Sequence, residues 1–215
     1  EWNDANNALV GNGLSLVTLC YLRRYLAFLQ ELAAQHSQPA LTVSTEVAEW
    51  LRDVHRELAR FAGVTDKATC DDRTRRQFLD ALGSAFCKYR QQVYQHGFSG
   101  KVELATADLT AMCQLAVSYA DHTIRMNRRS DELFHAYNLV EFRGDEAGVR
   151  HLYEMLEGQV AVLSSGLLTP EEAIDLLQAM FVSRLFRADE NTFLLYPDRE
   201  LPDFLDTNAV AQQPI

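Results

Sequence analysis

Residues 14–36, with the sequence LSLVTLCYLRRYLAFLQELAAQH, form the longest apolar stretch of the chain and decide the predicted fold. A helix over these residues would be apolar on nearly all sides, which is typical of a helix buried among other helices. Gln38-Pro39 ends it, because proline cannot continue a helix. Arg23 and Arg24 interrupt the apolar run, so the stretch does not predict a membrane span.

The same helical spacing recurs along the rest of the chain. The clearest helix start is Thr169-Pro170-Glu171-Glu172, in which Thr169 caps, Pro170 takes the first helical position and Glu172 completes a capping box. Residues 133–140, with the sequence LFHAYNLV, could be a short strand or an extended loop. The further helices are predicted after Ser44 as far as Gly63, and over 73–96, 107–127, 147–164 and 169–186.

These elements predict an all-α fold of consecutive antiparallel helical hairpins. Neither a sequence repeat nor a linker divides the chain, so residues 1–215 are predicted to form a single α-helical domain. One extended piece over 192–196 and a short helix over 201–205 are expected after the last long helix.

Composition narrows the possible functions. The chain has a formal net charge of −10, and 47% of its residues are hydrophobic. This acidic balance disfavours nucleic-acid binding, because neutralising phosphates requires a basic surface. The four cysteines lack metal-ligand spacing and are typical of reduced thiols in a cytoplasmic protein, and the six histidines form no metal motif. We therefore predict no metal, no other cofactor, and neither a nucleic-acid nor a membrane partner.

The first seven residues, Glu1-Trp2-Asn3-Asp4-Ala5-Asn6-Asn7, carry the side chains that a sugar site uses. An indole offers a flat apolar face to a pyranose ring, amides orient hydroxyl groups, and a carboxyl group can transfer protons. We predict that Trp2, Asn3, Asn6 and Asn7 bind substrate and that Asp4 is catalytic. The alternative is a polar turn that only starts the following helix.

Trp2-Asn3-Asp4, followed by a glycine-containing loop and a long apolar helix, resembles a segment of the cellobiose and chitobiose phosphorylase family. The resemblance is sharp over about a dozen residues, and His135-Ala136-Tyr137-Asn138 and Glu157-Gly158-Gln159 are also similar to that family. It implies that Asp4 is the general acid that protonates the glycosidic oxygen, with Trp2 beside it. It further implies a partial (α/α)6 toroid of the six-hairpin glycosidase superfamily, so that the chain would be a C-terminal fragment of a larger catalytic domain.

The family's phosphate-binding histidine and its Lys-Glu pair cannot be placed in this sequence, so both phosphorolysis, with inorganic phosphate as co-substrate, and hydrolysis remain open. Glu157 is the candidate base for hydrolysis. A helix-interior Gly158 indicates close approach by another helix or a ligand, although Glu157 could equally be a solvent-facing residue beside a packing glycine.

His135 and Tyr137 are further candidates for substrate binding, because they share a face if the segment is extended. Alternatively, they satisfy buried backbone groups. The predicted function is inverting cleavage of a glycosidic bond in a disaccharide or oligosaccharide. A non-catalytic helical-hairpin module that binds a protein partner is the rival prediction, and the sequence leaves the oligomeric state open.

Overall fold

The computed structural model describes residues 11–67, 69–198 and 203–204. It is 57% helical and 18% strand, and it contains three antiparallel sheets. The all-α prediction is therefore wrong, and so are the consecutive helical hairpins and the partial (α/α)6 toroid that it entailed. Long helices are present, but paired strands connect them.

The described residues form six α-helices and one short 3₁₀ turn at Ala62–Val64. The predicted long helices are confirmed except for the one over 147–164, and the short helix predicted over 201–205 lies largely outside the described residues. The helices are α1 (Leu16–Gln35), α2 (Thr45–Arg60), α3 (Asp72–His96), α4 (Thr106–Met126), α5 (Leu156–Ser164) and α6 (Pro170–Val182).

Helix starts agree with local capping rules. At α6 the Thr169 hydroxyl accepts a hydrogen bond from the Glu172 N–H, and the Glu172 carboxylate accepts one from the Thr169 N–H, which confirms the capping box. The side chain of Ser15 caps α1, and that of Asp71 caps α3. Ser44 takes the predicted cap position of α2, but its side chain makes no capping hydrogen bond.

Within the described ranges, seven short strands form the three sheets. The largest has the order β1-β4-β5, and all its pairs are antiparallel. The pair β2-β3 joins the connection after α1 to the connection after α3. The strands are β1 (Gly13–Ser15), β2 (Ala40–Ser44), β3 (Lys101–Ala105), β4 (Tyr137–Arg143), β5 (Glu146–His151), β6 (Phe186–Arg187) and β7 (Thr192–Phe193).

The predicted helix over 147–164 is replaced by β5 followed by the shorter α5. Arg143 pairs with Glu146, so Gly144 and Asp145 form a two-residue hairpin turn between β4 and β5. Gly144 has a φ of 60°, which glycine adopts more easily than other residues and which matches the twist of the paired strands. The hairpin outweighs the helical spacing because all six residues of β5 lie in register with β4, which provides backbone partners along the whole strand on the side that faces β4.

The main core lies where α1, α5 and α6 meet the segment that leads into β4. A smaller core joins α1 to α4 through Leu26, Met112 and Cys113. The most deeply buried hydrophobic residues of the main core include Cys20, Ile124, Leu133, Ala136, Tyr137, Val162, Leu176 and Leu185.

Helix α1 is less buried than predicted. Its buried residues include Leu16, Val17 and Leu26, which face the two cores. A second stripe of large apolar side chains on α1 is exposed, namely Tyr21, Leu22, Tyr25, Phe28 and Leu32. In the part of the chain that is described, no helix is long and apolar enough to cross a membrane.

Candidate functional site

The candidate site lies where β4 begins beside the N-terminal turn of α5. Tyr137 is the first residue of β4 and is buried, and Glu157 is the second residue of α5 and is half-buried. The Tyr137 hydroxyl donates a hydrogen bond of 2.6 Å to Oε2 of Glu157. Two of the residues predicted for the site are therefore in direct contact, and the phenol restricts the orientation of the carboxylate.

The close approach of β4 to α5 depends on Gly158. A Cβ atom at this position would lie 2.8 Å from the Cβ and 2.9 Å from the Cα of Ala136. Such distances are shorter than real side-chain contacts, so only glycine fits without a shift of the backbone. The predicted close approach is confirmed, but the neighbour is the chain entering β4 rather than another helix or a ligand.

Gln159 holds the same two segments together. Its Oε1 accepts a hydrogen bond from the Phe134 N–H, and its Nε2 donates to the carbonyl oxygens of Phe134 and Met155, all at 2.8–2.9 Å. The side chain is fully buried. The two bonds to Phe134 satisfy backbone groups that lie outside any helix or strand, and they keep Tyr137 in reach of Glu157.

Asn138, the residue after Tyr137, belongs to a chain of side-chain hydrogen bonds that fixes the orientation of each amide and imidazole in it. Asn127 Nδ2 donates to the Thr123 carbonyl oxygen, so its Oδ1 must accept from Asn138 Nδ2. Asn138 Oδ1 then faces Nδ1 of His151 at 2.7 Å. Because an amide oxygen can only accept, His151 carries its proton on Nδ1.

His135 adopts the same tautomer. Its Nδ1 lies 2.8 Å from the Leu152 carbonyl oxygen, which can only accept. The two imidazoles stack, with centroids 4.2 Å apart and an angle of 8° between the rings. Each ring in its neutral form therefore presents Nε2 as a hydrogen-bond acceptor, and in the described part of the chain neither Nε2 has a partner.

Both imidazoles have lowered pKa values. For His135 burial is the main cause, and the charges of His151 and Arg129 add to the effect. For His151 burial is again the main cause, followed by the charge of Arg75. The neutral form of each ring is thus favoured in the folded protein.

We expect the free energy of unfolding to decrease as the pH falls below about 6.5, the ordinary histidine pKa. The unfolded chain binds protons on these two imidazoles more readily than the folded chain, so their contribution to stability is present above this pH. It is lost as the pH falls through the lower pKa values of the folded state. Urea unfolding between pH 5 and 8 measures the effect.

Replacing both rings, in a variant carrying His135→Phe and His151→Phe, should flatten this pH dependence. The matched control is His96→Gln at an exposed histidine outside the cluster, which should retain it. An unchanged slope in the double variant would mean that the pair does not cause the dependence.

The arginines near the site are all bound to carboxylates. Arg125 pairs with Glu172 at 2.8 Å, and Arg128 pairs with Glu132. Arg129 contacts Asp131 at 2.8 Å and Glu154 at 3.1 Å. These pairs agree with a stabilising role at the end of α4, and they leave this arginine cluster poorly suited to hold a phosphate.

The predicted site residues fall into three groups. Asp4, Trp2, Asn3, Asn6 and Asn7 lie outside the described residues. Tyr137 and Glu157 lie in contact, as stated above. His135 does not share a face with Tyr137 as expected, because a bend at Ala136 interrupts the alternation and the ring of His135 stacks on His151 instead.

Sequence reasoning did not select His151, Asn127, Asn138 or Gln159 as members of this arrangement. A usable signal for His151 was present in the Gly144-Asp145 dipeptide, which is typical of a two-residue hairpin turn. That hairpin places His151 opposite Asn138. For Asn127 and Gln159 no local signal exists, since the partners that bring them into this arrangement, Asn138 and Phe134, are 11 and 25 residues away.

Comparisons with known proteins leave the family open. No protein-family model matches the chain, and no curated protein matches it either.

Proposed function

We propose that the chain is part of a carbohydrate-active enzyme that cleaves a glycosidic bond with inversion, and that Glu157 activates the attacking water. The observation that carries the proposal is the 2.6 Å hydrogen bond from Tyr137 to Glu157. A half-buried carboxylate whose orientation is held by a phenol is the group that an inverting hydrolase needs as its base.

Sequence order places the Trp2-Asn3-Asp4 segment shortly before the strand that pairs with β4. That segment precedes β1, and β1 pairs directly with β4, with Ser15 opposite Tyr137. The candidate acid therefore precedes a strand that lies beside the strand carrying Tyr137. This sequence order supports a shared site with Asp4 as general acid.

In the proposed reaction, Asp4 donates a proton to the glycosidic oxygen as its bond to the anomeric carbon breaks. Glu157 takes a proton from the water that attacks the same carbon from the opposite face. Trp2, Asn3, Asn6 and Asn7 bind the sugar, and Nε2 of His135 accepts a hydrogen bond from a hydroxyl group. Hydrolysis is favoured over phosphorolysis because Arg125, Arg128 and Arg129 are already paired with carboxylates.

The test is release of reducing sugar from a panel of β-linked disaccharides, with and without inorganic phosphate, by the protein that contains this chain. We expect turnover without phosphate. Asp4→Asn and Glu157→Gln should each lower kcat by about 10²–10⁴-fold, the usual contribution of a general acid or base. Tyr137→Phe should cause a smaller loss, because it removes the hydrogen bond that orients Glu157 but leaves the carboxylate itself in place.

The matched control is Glu171→Gln, which changes an exposed carboxylate at the second position of α6, the position that Glu157 holds in α5. It should leave kcat unchanged. Turnover that requires phosphate would instead support phosphorolysis. Absence of turnover on the whole panel would contradict the enzyme proposal and favour the rival prediction of a protein-binding module.

A further inference from the structure

A separate cleft lies between α2, β3 and α4. Its volume is about 290 Å³, at the lower limit of the range for small-molecule sites. Leu51 of α2 and Leu109 of α4 give it an apolar lining and are half-buried, whereas Leu104 and Met112, which also line it, are buried and leave a ligand little surface. The cleft therefore suits a ligand with a small apolar body.

Charged side chains stand at the rim of this cleft. Arg52 of α2 and Asp108 of α4 are both exposed and both line it. Arg56 also lines the cleft, but its guanidinium is bound to Asp53 and Glu57. In the described part of the chain, neither Arg52 nor Asp108 has an ion pair, so one cation on α2 and one anion on α4 remain available.

The first turn of α4 favours a negative Asp108, because the helix dipole is positive there. The guanidinium of Arg52 can bind a carboxylate through two parallel hydrogen bonds. The imidazole of His55 lies one turn along α2 from Arg52 and adds a third polar group to the same wall. Opposite charges above an apolar floor complement a ligand that carries both charges and an aliphatic group.

We propose that this cleft binds a free α-amino acid with an aliphatic side chain. The carboxylate lies against Arg52, the ammonium group against Asp108, and the side chain against Leu51 and Leu109. Of the described residues that line the cleft, none belongs to β4 or α5. The cleft is therefore separate from the Tyr137–Glu157 site, and its function does not depend on that site.

Titration of the isotope-labelled chain with L-leucine, followed by NMR of the backbone amides, tests the proposal. We expect shifts confined to α2, β3 and α4, with a dissociation constant on the order of 1 mM for so small and open a cleft. Two analogues of leucine distinguish the contributions of its two charged groups to binding. The amine 3-methylbutylamine lacks the carboxylate, and 4-methylpentanoate lacks the ammonium group. Each should bind roughly ten-fold more weakly than leucine.

Substitutions at the rim should reproduce these losses selectively. Arg52→Gln should weaken the binding of leucine about ten-fold and leave the binding of 3-methylbutylamine unchanged. Asp108→Asn should weaken the binding of leucine and leave the binding of 4-methylpentanoate unchanged. The control is Arg24→Gln, at an exposed arginine on α1 outside the cleft. It should change the binding of neither leucine nor the two analogues.

Three results would overturn the proposal. They are the absence of shifts at about 10 mM leucine, equal binding of 4-methylpentanoate and leucine, and leucine binding that neither rim substitution weakens. Since Arg52 and Asp108 are exposed, their substitution leaves the core intact, and the unfolding midpoint of each variant verifies this.

Discussion

Gln159→Leu should lower the free energy of unfolding by about 3–5 kcal/mol, because each buried backbone group left without a partner costs about 1–3 kcal/mol. The leucine side chain fits the same space but cannot bond the N–H and the carbonyl of Phe134, both of which Gln159 now satisfies. Such a loss is a large share of the roughly 5–15 kcal/mol by which most domains are stable.

Urea unfolding of the two proteins measures the difference. The matched control is Gln178→Leu on the exposed face of α6, which should change the free energy of unfolding by less than about 0.5 kcal/mol. If Gln159→Leu were as mild as this control, the buried amide would not be what holds the segment before β4 against α5. Because Tyr137 follows that segment, the variant should also weaken the contact between Tyr137 and Glu157.

Gly158→Ala should lower the free energy of unfolding by about 2 kcal/mol, although alanine is the better helix former by about 1 kcal/mol. The added Cβ would meet both the backbone and the side chain of Ala136 at less than 3 Å. Ala136 is fully buried in the main core, so it cannot move aside without displacing its neighbours.

Gly83→Ala is the matched control for this prediction. Gly83 also lies within a helix, α3, but a Cβ there would meet nothing within 4 Å. The same substitution should therefore raise the free energy of unfolding by about 0.5–1 kcal/mol through helix propensity alone. Thermal or urea unfolding gives both values, and the same sign at the two glycines would contradict the role assigned to the contact with Ala136.

Most helices could be predicted from the sequence because their signals are local. The capping box at Thr169 and the apolar spacing over 73–96 each act within a few residues. The same local reasoning gave a wrong helix over 147–164, since its apolar spacing suited a helix while Gly144-Asp145 indicated a hairpin. The pairing of β2 with β3 had no local signal, because α2 and α3 separate the two strands in the sequence.

In the candidate site, too, some features could be predicted from the sequence and others could not. Glu157, Tyr137 and His135 could be selected by residue type and order, but their contacts could not. The bend at Ala136 turns His135 toward His151, and the narrow gap at Gly158 sets Tyr137 on Glu157. Both features arise from the packing of β4 on α5 and β5.

The N-terminal caps of α1 and α6, the turn at Gly144-Asp145 and the side chains suited to sugar chemistry can all be read from short stretches of the chain. Their effects depend on hydrogen bonds and dihedral preferences that span only a few residues. Strand partners, the exposed stripe on α1, the tautomers of the two histidines and the Tyr137–Glu157 contact were decided by tertiary packing. Each of these depends on the burial or the hydrogen-bond partners that residues distant in sequence provide.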